Sequence, residues 1–389
     1  MRQPGIIVGQ TDSDGVRIDG EWVDRGDCSG PKSARRVLSD PRVDVAVLET
    51  ARGGMLREGL AFQHCNIGIV NNVSDDHLGK AEVESLEDLW RVKRIVAEAV
   101  LPDGHCILNA DDPWCVRMAS HTKGKVVFFS LKADNPVIKE AISKGKTVWF
   151  ISNGDIVCHH NGSFTRFMKA AGIPITLNGL AQYNIANALA SLAAAHAAGK
   201  PLKQLRTAIM TFQLSAEQNK GRLNVYRSED RCVIVDFAHN PAGLQAIYQT
   251  LAPLVRRRLI TVASMPGDRQ DDAIRQSARI MSQFSDVLVI KEDADLRGRK
   301  PREVAHLIRT EALGAGLPAS WLPIVSEEYE ACRKAWEMSQ PGDIVLCLYD
   351  EFDKIEQFLK EINCNTTEKD LSSLIAEEGR NKWLNACRG

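Results

Sequence analysis

Glu49 closes an apolar run and opens a glycine loop, Val45-Ala46-Val47-Leu48-Glu49-Thr50-Ala51-Arg52-Gly53-Gly54. A carboxylate at a strand end followed by Gly-Gly can hold Mg²⁺ against phosphates, or it can sit in a salt bridge. Ile69-Val70-Asn71-Asn72-Val73-Ser74-Asp75-Asp76-His77-Leu78-Gly79 has the same form, with His77 as a second metal ligand or a turn residue. Lys93 follows in a helical pattern, where a lysine ordinarily faces solvent. A third apolar run ends in Asn109-Ala110-Asp111-Asp112-Pro113. The most specific segment is Val233-Ile234-Val235-Asp236-Phe237-Ala238-His239-Asn240-Pro241. A strand ends in Asp236, a short loop carries His239 and Asn240, and proline starts a helix. Carboxylate, imidazole and helix N-terminus around one point suit ribose hydroxyls and phosphate. Two later apolar runs end in Pro266-Gly267-Asp268-Arg269 and in the charged loop Lys291 to Arg299.

Such residues need strands to carry them. Short β-branched runs alternate with helical patterns along most of the chain, which predicts α/β layering with parallel sheets. Ile6-Ile7-Val8, Val43 to Leu48 and Ile67 to Val70 read as buried strands. Ser85 to Val100 reads as an amphipathic helix through Leu86, Leu89, Val92, Val96 and Val100. Asn135-Pro136 starts another helix. Small antiparallel strands turn at Asn153-Gly154 and Asn161-Gly162, and an Ala-rich helix spans about 181–198. Strand–helix units then repeat: strands at 232–236, 259–263, 287–290 and 344–348, with helices at 241–254 and 269–284. The polar stretch Ser215 to Lys220 is the linker candidate. The expected organisation is therefore 1–219, 220–363 and a polar tail at 364–389.

Length and composition bound the function. The chain has 389 residues, enough for two or three domains, with 44% hydrophobic and 25% charged residues. Forty-nine basic against fifty acidic residues leave a net charge of -1, which argues against nucleic acid or an anionic membrane as the general partner. No apolar run reaches the roughly 20 residues of a spanning helix, and no signal segment opens the sequence, so a cytoplasmic protein is expected. The ten cysteines show no C-x-x-C spacing and read as reduced, partly buried thiols.

In this order and spacing the motifs resemble the Mur ligase superfamily, most closely the C-terminal, Mur-like half of cyanophycin synthetases. The resemblance runs from about Gly5 to Phe352. It rests on Thr50 to Gly54, Asp76-His77-Leu78-Gly79, Asn109 to Pro113, Ala186-Asn187-Ala188-Leu189-Ala190, Asp236 to Pro241, Pro266 to Arg269 and Lys291 to Arg299. It implies a central ATPase domain with a small antiparallel insertion, followed by a Rossmann-like C-terminal domain. The implied activity is ATP-dependent amide ligation: a carboxylate is phosphorylated and an amine displaces the phosphate. The implied cofactors are ATP and Mg²⁺. By resemblance Glu49 and His77 are Mg²⁺ ligands, and Lys93 matches a lysine that some relatives carbamylate. Asn187 matches an adenine contact, and Arg222 and Asp236 match nucleotide contacts. In cyanophycin synthetases this half adds arginine to aspartate β-carboxylates of a polymer. Glu292, Asp293 and Asp295, with Arg297, occupy the place where relatives read the amino acid. Carboxylates there suit a guanidinium; the other reading is a solvated loop neutralised by Arg297, Arg299 and Lys300. A folylpolyglutamate-synthase-like ligase fits the 50–54 and 291–299 segments less well.

One feature departs from the family. Its module opens with a strand, a phosphate loop and a helix, but no G-x-x-x-x-G-K-[ST] occurs in this sequence. The sequence enters at the following strand, Ile6-Ile7-Val8, and the turn after it reads Gln10 to Gly15. Two expectations follow. The chain is one part of a longer or split synthetase, with a partner chain able to supply the loop. Alternatively it is an inactive module binding nucleotide, polymer or a partner synthetase chain. Self-association is compatible with either.

Overall fold

The computed structural model describes residues 5–74, 83–228, 231–254 and 257–366. His77, the segment 75–82 and most of the tail lie outside them. The described chain forms two compact units. One contains 5–73, 83–169 and 186–209; the other contains 74, 170–185 and 210–366.

The first unit holds two sheets. In the smaller, the antiparallel strands Val8–Asp12, Gly15–Ile18 and Glu21–Arg25 are joined by tight turns, and Val45–Leu48 pairs parallel to Val8–Asp12. Asp19 and Gly20 both take positive φ, as a two-residue hairpin turn requires. In the larger, Cys65–Val70, Val100–Asn109, Lys125–Ser130 and Val148–Ser152 run parallel. The antiparallel strands Asp155–His160 and Ser163–Lys169 extend it, turning at Asn153-Gly154 and Asn161-Gly162. The helix Leu86–Glu98 begins at Ser85, whose side chain and that of Asp88 form a reciprocal capping box.

The strands expected to be buried at 43–48 and 67–70 are half open instead. Val47 is 54% exposed and Ile69 41%, whereas Cys106, Ile107 and Leu108 on the neighbouring strand are fully buried. The reason is pairing. Among the described residues, Val45–Leu48 ends one sheet and Cys65–Val70 ends the other, so each has a partner on one side only. Parallel strands are ordinarily covered, and an apolar edge of this kind is a template for another strand. The run Ile6-Ile7-Val8 also shifts: the strand starts at Val8, while Ile7 exchanges hydrogen bonds with Asp44 and Val45. Gln10 to Asp12 are strand rather than turn.

The second unit is a sheet in the order Val287–Ile290, Leu259–Ala263, Ile344–Leu348, Arg231–Asp236, Asn224–Ser228, Asn365–Thr366. The first four strands are parallel. Both faces are covered: Cys232 and Ile234 enter one apolar cluster, Val233 and Val235 the other. That is why these strands read as continuous apolar runs rather than alternating ones. All nine described cysteines are free thiols. No helix among the described residues is long and apolar enough to cross a membrane.

Candidate functional site

Glu49 follows the strand Val45–Leu48, and its carboxylate accepts the backbone N–H of Ser13 at 3.1 Å and the Ser13 hydroxyl at 3.1 Å. Desolvation raises its pKa, the two Ser13 bonds oppose this, and the nearby charges of Asp12 and Asp27 add to the rise. Three segments thus bring three carboxylates into one region, two of which the sequence reading missed. Asp12 accepts from the backbone of Asp14 and Gly15, and Asp27 from Ser29. Both are aspartates at strand or loop ends, which is the signal that would have found them. Among the described residues no group of three or more His, Cys, Asp or Glu side chains is arranged to hold a metal ion unaided. Mg²⁺ at a nucleotide usually takes one or two carboxylates, waters and phosphate oxygens, and Glu49 has that donor chemistry.

Lys93 lies at the carboxyl end of the parallel sheet, its Nζ donating to the Asn72 carbonyl at 2.9 Å. Its surroundings are tied together by Asn109 and Asp112. Asn109 donates to the Asn71 carbonyl at 2.9 Å, and Asp112 accepts the Val73 N–H at 2.7 Å while capping the helix Pro113–Met118. The motif Asn109 to Pro113 therefore braces the loop that leads into 75–82. Asn187 is exposed on the helix Gln182–Ala197.

In the second unit Arg222, Asp236, His239 and Asn240 come together. Asp236 is buried; its two oxygens accept the N–H groups of Leu223 at 2.8 Å and Ala238 at 2.9 Å. Burial pushes its pKa up to about 6, against the pull of Arg222 and the backbone donors. The Arg222 guanidinium stands 4.6 Å from the centre of the Phe237 ring, with His239 and Tyr349 on the same ring at 4.8 and 5.2 Å. Gly221 has φ +63° and no room for a Cβ, which would meet the Tyr349 ring. Asn240 caps the helix Pro241–Leu251 through the Gly243 N–H. Asp236 and Asn240 therefore shape this loop from within, while Arg222, Phe237, His239 and Tyr349 form its aromatic and cationic group. The aromatic members were not anticipated.

The acidic loop is more ordered than a solvated charge cluster. Asp293 faces the buried Lys291 ammonium at 3.4 Å and accepts from the Ser264 hydroxyl; Lys291 also pairs with Glu328 at 3.1 Å. Desolvation pulls the Lys291 pKa down, but Glu328 and Asp293 together leave it raised. Glu292 accepts the Arg302 N–H, and Asp295 the N–H of Arg297. Arg297 itself pairs with Asp268 at 3.1 Å, and Arg299 with Asp271 and Glu303, both at 2.7 Å. The nearby arginines therefore neutralise other carboxylates. Glu292, Asp293 and Asp295 line a hollow with Gly267 and Lys300. Its volume, about 10 Å³, has room for about one water, so a guanidinium enters only if the loop opens.

Comparison with known proteins identifies the family. Residues 27–195 match the family model of the Mur ligase middle domain, and residues 221–348 that of the Mur ligase glutamate ligase domain. The chain belongs to the Mur ligase family. It is 39% identical over 345 residues to the cyanophycin synthetase of Geminocystis herdmanii (strain PCC 6308), covering 89% of this chain and 39% of that protein. Over 346 residues it is 41% identical to that of Crocosphaera subtropica (strain ATCC 51142 / BH68), with the same coverage. The chain thus spans about two fifths of the length of these relatives, 39%. A bifunctional folylpolyglutamate synthase/dihydrofolate synthase, solved with Mn, AMPPNP and L-glutamate bound, has the same fold. Its TM-score is 0.64 at 17% identity, over 92% of this chain and 83% of that one.

Proposed function

We propose that this chain supplies the Mur-type nucleotide and amino-acid domains of an ATP-dependent amide ligase of cyanophycin synthetase type. Its reaction joins arginine to the β-carboxylate of aspartate in an Asp-containing polymer. The observation that carries this reading is the 39–41% identity to cyanophycin synthetases across 89% of the chain, through both domains. ATP and Mg²⁺ are the cofactors, the metal stabilising charge that builds on the transferred phosphate when it is bound. Glu49 and His77 would hold Mg²⁺, and Lys93, reaching from the helix Leu86–Glu98 toward Asn72, would add an anionic contact to it if carbamylated. Asn187 is assigned to adenine. Arg222 and His239 are assigned to the nucleotide, with Asp236 and Asn240 fixing the loop that carries His239. Glu292, Asp293 and Asp295 are assigned to the incoming guanidinium, and Arg297 to holding the neighbouring Asp268 loop.

The open edges at Val45–Leu48 and Cys65–Val70 favour a specific completion. A further parallel strand between them, bringing the family's phosphate loop, would cover Val47 and Ile69 and join the two sheets. A preceding segment or a partner chain can provide it. Without it the same domains make a nucleotide- or polymer-binding module, which is the second reading. The test is phosphate release by the chain joined to the strand, phosphate loop and helix of a cyanophycin synthetase relative. Release that requires both arginine and Asp-containing primer supports the ligase. Release indifferent to arginine contradicts it.

A further inference from the structure

The first unit has a cavity of about 350 Å³ far from the strand ends just described. Three histidines line it: His105 on the strand Val100–Asn109, His160 at the end of Asp155–His160, and His196 near the end of the helix Gln182–Ala197. Thr147 and Lys200 add to its polar wall, and among the described residues no carboxylate lines it. His105 pairs in register with Lys125, the first residue of its parallel strand, so the cavity opens at the amino edge of the sheet. His105 precedes Asn109 by four positions, about 13 Å along a strand. The ligand edge and this cavity are therefore opposite ends of one sheet.

The imidazoles are close and not balanced by acid. The His160 and His196 rings are 4.8 Å apart, and His160 Nδ1 is held by the Thr147 hydroxyl at 2.8 Å. That bond fixes the ring and leaves Nε2 for another partner. The helix end contributes little negative charge, because the carbonyls of Ala194, Ala195 and His196 accept the N–H groups of Ala198, Lys200 and Gly199. Among the described residues, the charged groups near the cluster include Lys125 on the adjacent strand and Lys200 after the helix. Desolvation, then Lys125 and His160, hold the His105 pKa below its ordinary value. Desolvation, then His160 and His105, do the same for His196. The His105 and His196 rings therefore stay neutral more readily than free imidazoles, and a negative charge in the cavity would offset what opposes their protonation.

We propose that this cavity is a binding site for a small multivalent oxyanion of the phosphate class, taken up together with protons on the histidines. An anion beside His105, His160, His196 and Lys200 favours protonation of the rings and accepts charge-assisted hydrogen bonds from them. The volume stands at the lower end of small-molecule sites, roughly 300–1,000 Å³, and accommodates a pyrophosphate-sized group more fully than a single phosphate. A metal is disfavoured, because no three of these side chains are placed to ligate one among the described residues.

The test is calorimetric titration of the whole chain with sulfate, phosphate and pyrophosphate at about pH 6 and about pH 8. Sulfate does not titrate in this range, so any pH effect on it belongs to the protein. One site per chain is expected, binding sulfate roughly tenfold or more tightly at the lower pH. The His105→Gln/His196→Gln double variant should lose it, and His306→Gln on the exposed helix face of the other unit should keep it. Because the double variant could fold poorly, the wild-type imidazole resonances are followed as well. Sulfate should move the titrations of the three cavity histidines to higher pH and leave His306 in place. Absence of binding, binding indifferent to pH, unchanged imidazole titrations, or binding of Zn²⁺ in place of sulfate would overturn the proposal.

Discussion

The Asp236 carboxylate accepts the backbone N–H of Leu223 at 2.8 Å, tying the end of a central strand to a residue held at φ +55°. Leu223 is fully buried, so this left-handed backbone is kept only because Asp236 and the surrounding core determine it. The same contact makes the loop carrying Arg222 dependent on the state of one carboxyl group.

A pH dependence follows. Asp236 has a pKa of about 6 in the folded chain against 3.8 as an ordinary side chain. The folded state therefore binds this proton more tightly than the unfolded one. Stability from this group is full below about 4 and declines as pH rises through about 6, by about 3 kcal/mol in total. Urea melts across this window should show wild-type stability falling relative to Asp236→Asn. Parallel pH profiles for the two proteins would refute the assignment.

Ligand roles separate by kinetics in the form that carries a phosphate loop. Glu49→Ala should abolish turnover, through loss of a metal contact that matters most as phosphoryl transfer proceeds. Asn187→Ala should raise the KM for ATP with little change in kcat, since adenine is held equally in ground and transition states. Unchanged kinetics for Glu49→Ala would remove the metal role.

If the acidic loop takes the guanidinium, Asp293 has a second task, because it also pairs with the buried Lys291. Asp293→Asn removes one of the two carboxylates paired with Lys291 and should cost about 1–3 kcal/mol in a denaturant melt, because Lys291 is buried. Glu292→Gln should cost little stability and instead lower the ratio of kcat/KM for arginine to that for lysine, with ATP affinity unchanged. A constant ratio accompanied by weaker ATP binding would show that the loop serves the nucleotide.

The open edge carries a fourth prediction. Val47→Asp lies on an exposed strand position and should change the stability of the 389-residue chain by less than about 0.5 kcal/mol. It should nevertheless abolish activity once a strand is supplied, because a charge would then be buried in the sheet. Equal activity of Val47→Asp and wild type would show that no strand enters there.

Much of this was legible in the sequence. The strand at 232–236 is sandwiched between two apolar clusters, and its unbroken apolar run announces that. Asn-Gly at 153–154 and 161–162 set their turns by positive φ alone. Asp236, His239 and Asn240 stand out in the sequence because a strand end, a loop and Pro241 follow one another along the chain. What escaped depends on distant partners. The exposure of Val47 and Ile69 reflects their place on strands paired on one side only, rather than their own residue types. The approach of Asp12 and Asp27 to Glu49 and the pairing of Lys291 with Glu328 join segments that periodicity cannot relate. Arg297 and Arg299 looked like counter-ions of the acidic loop from their position, yet they turn to Asp268, Asp271 and Glu303.

The most direct test of the ligase reading is the bond formed. The chain joined to a relative's strand, phosphate loop and helix is incubated with Asp-containing primer, arginine, ATP and Mg²⁺, and the product is mapped by mass spectrometry. The expected product carries arginine attached through an amide to aspartate β-carboxylates, only when ATP is present and only with Glu49 intact. Arginine-free primer after full ATP consumption, or a different amino acid joined in preference, would contradict it.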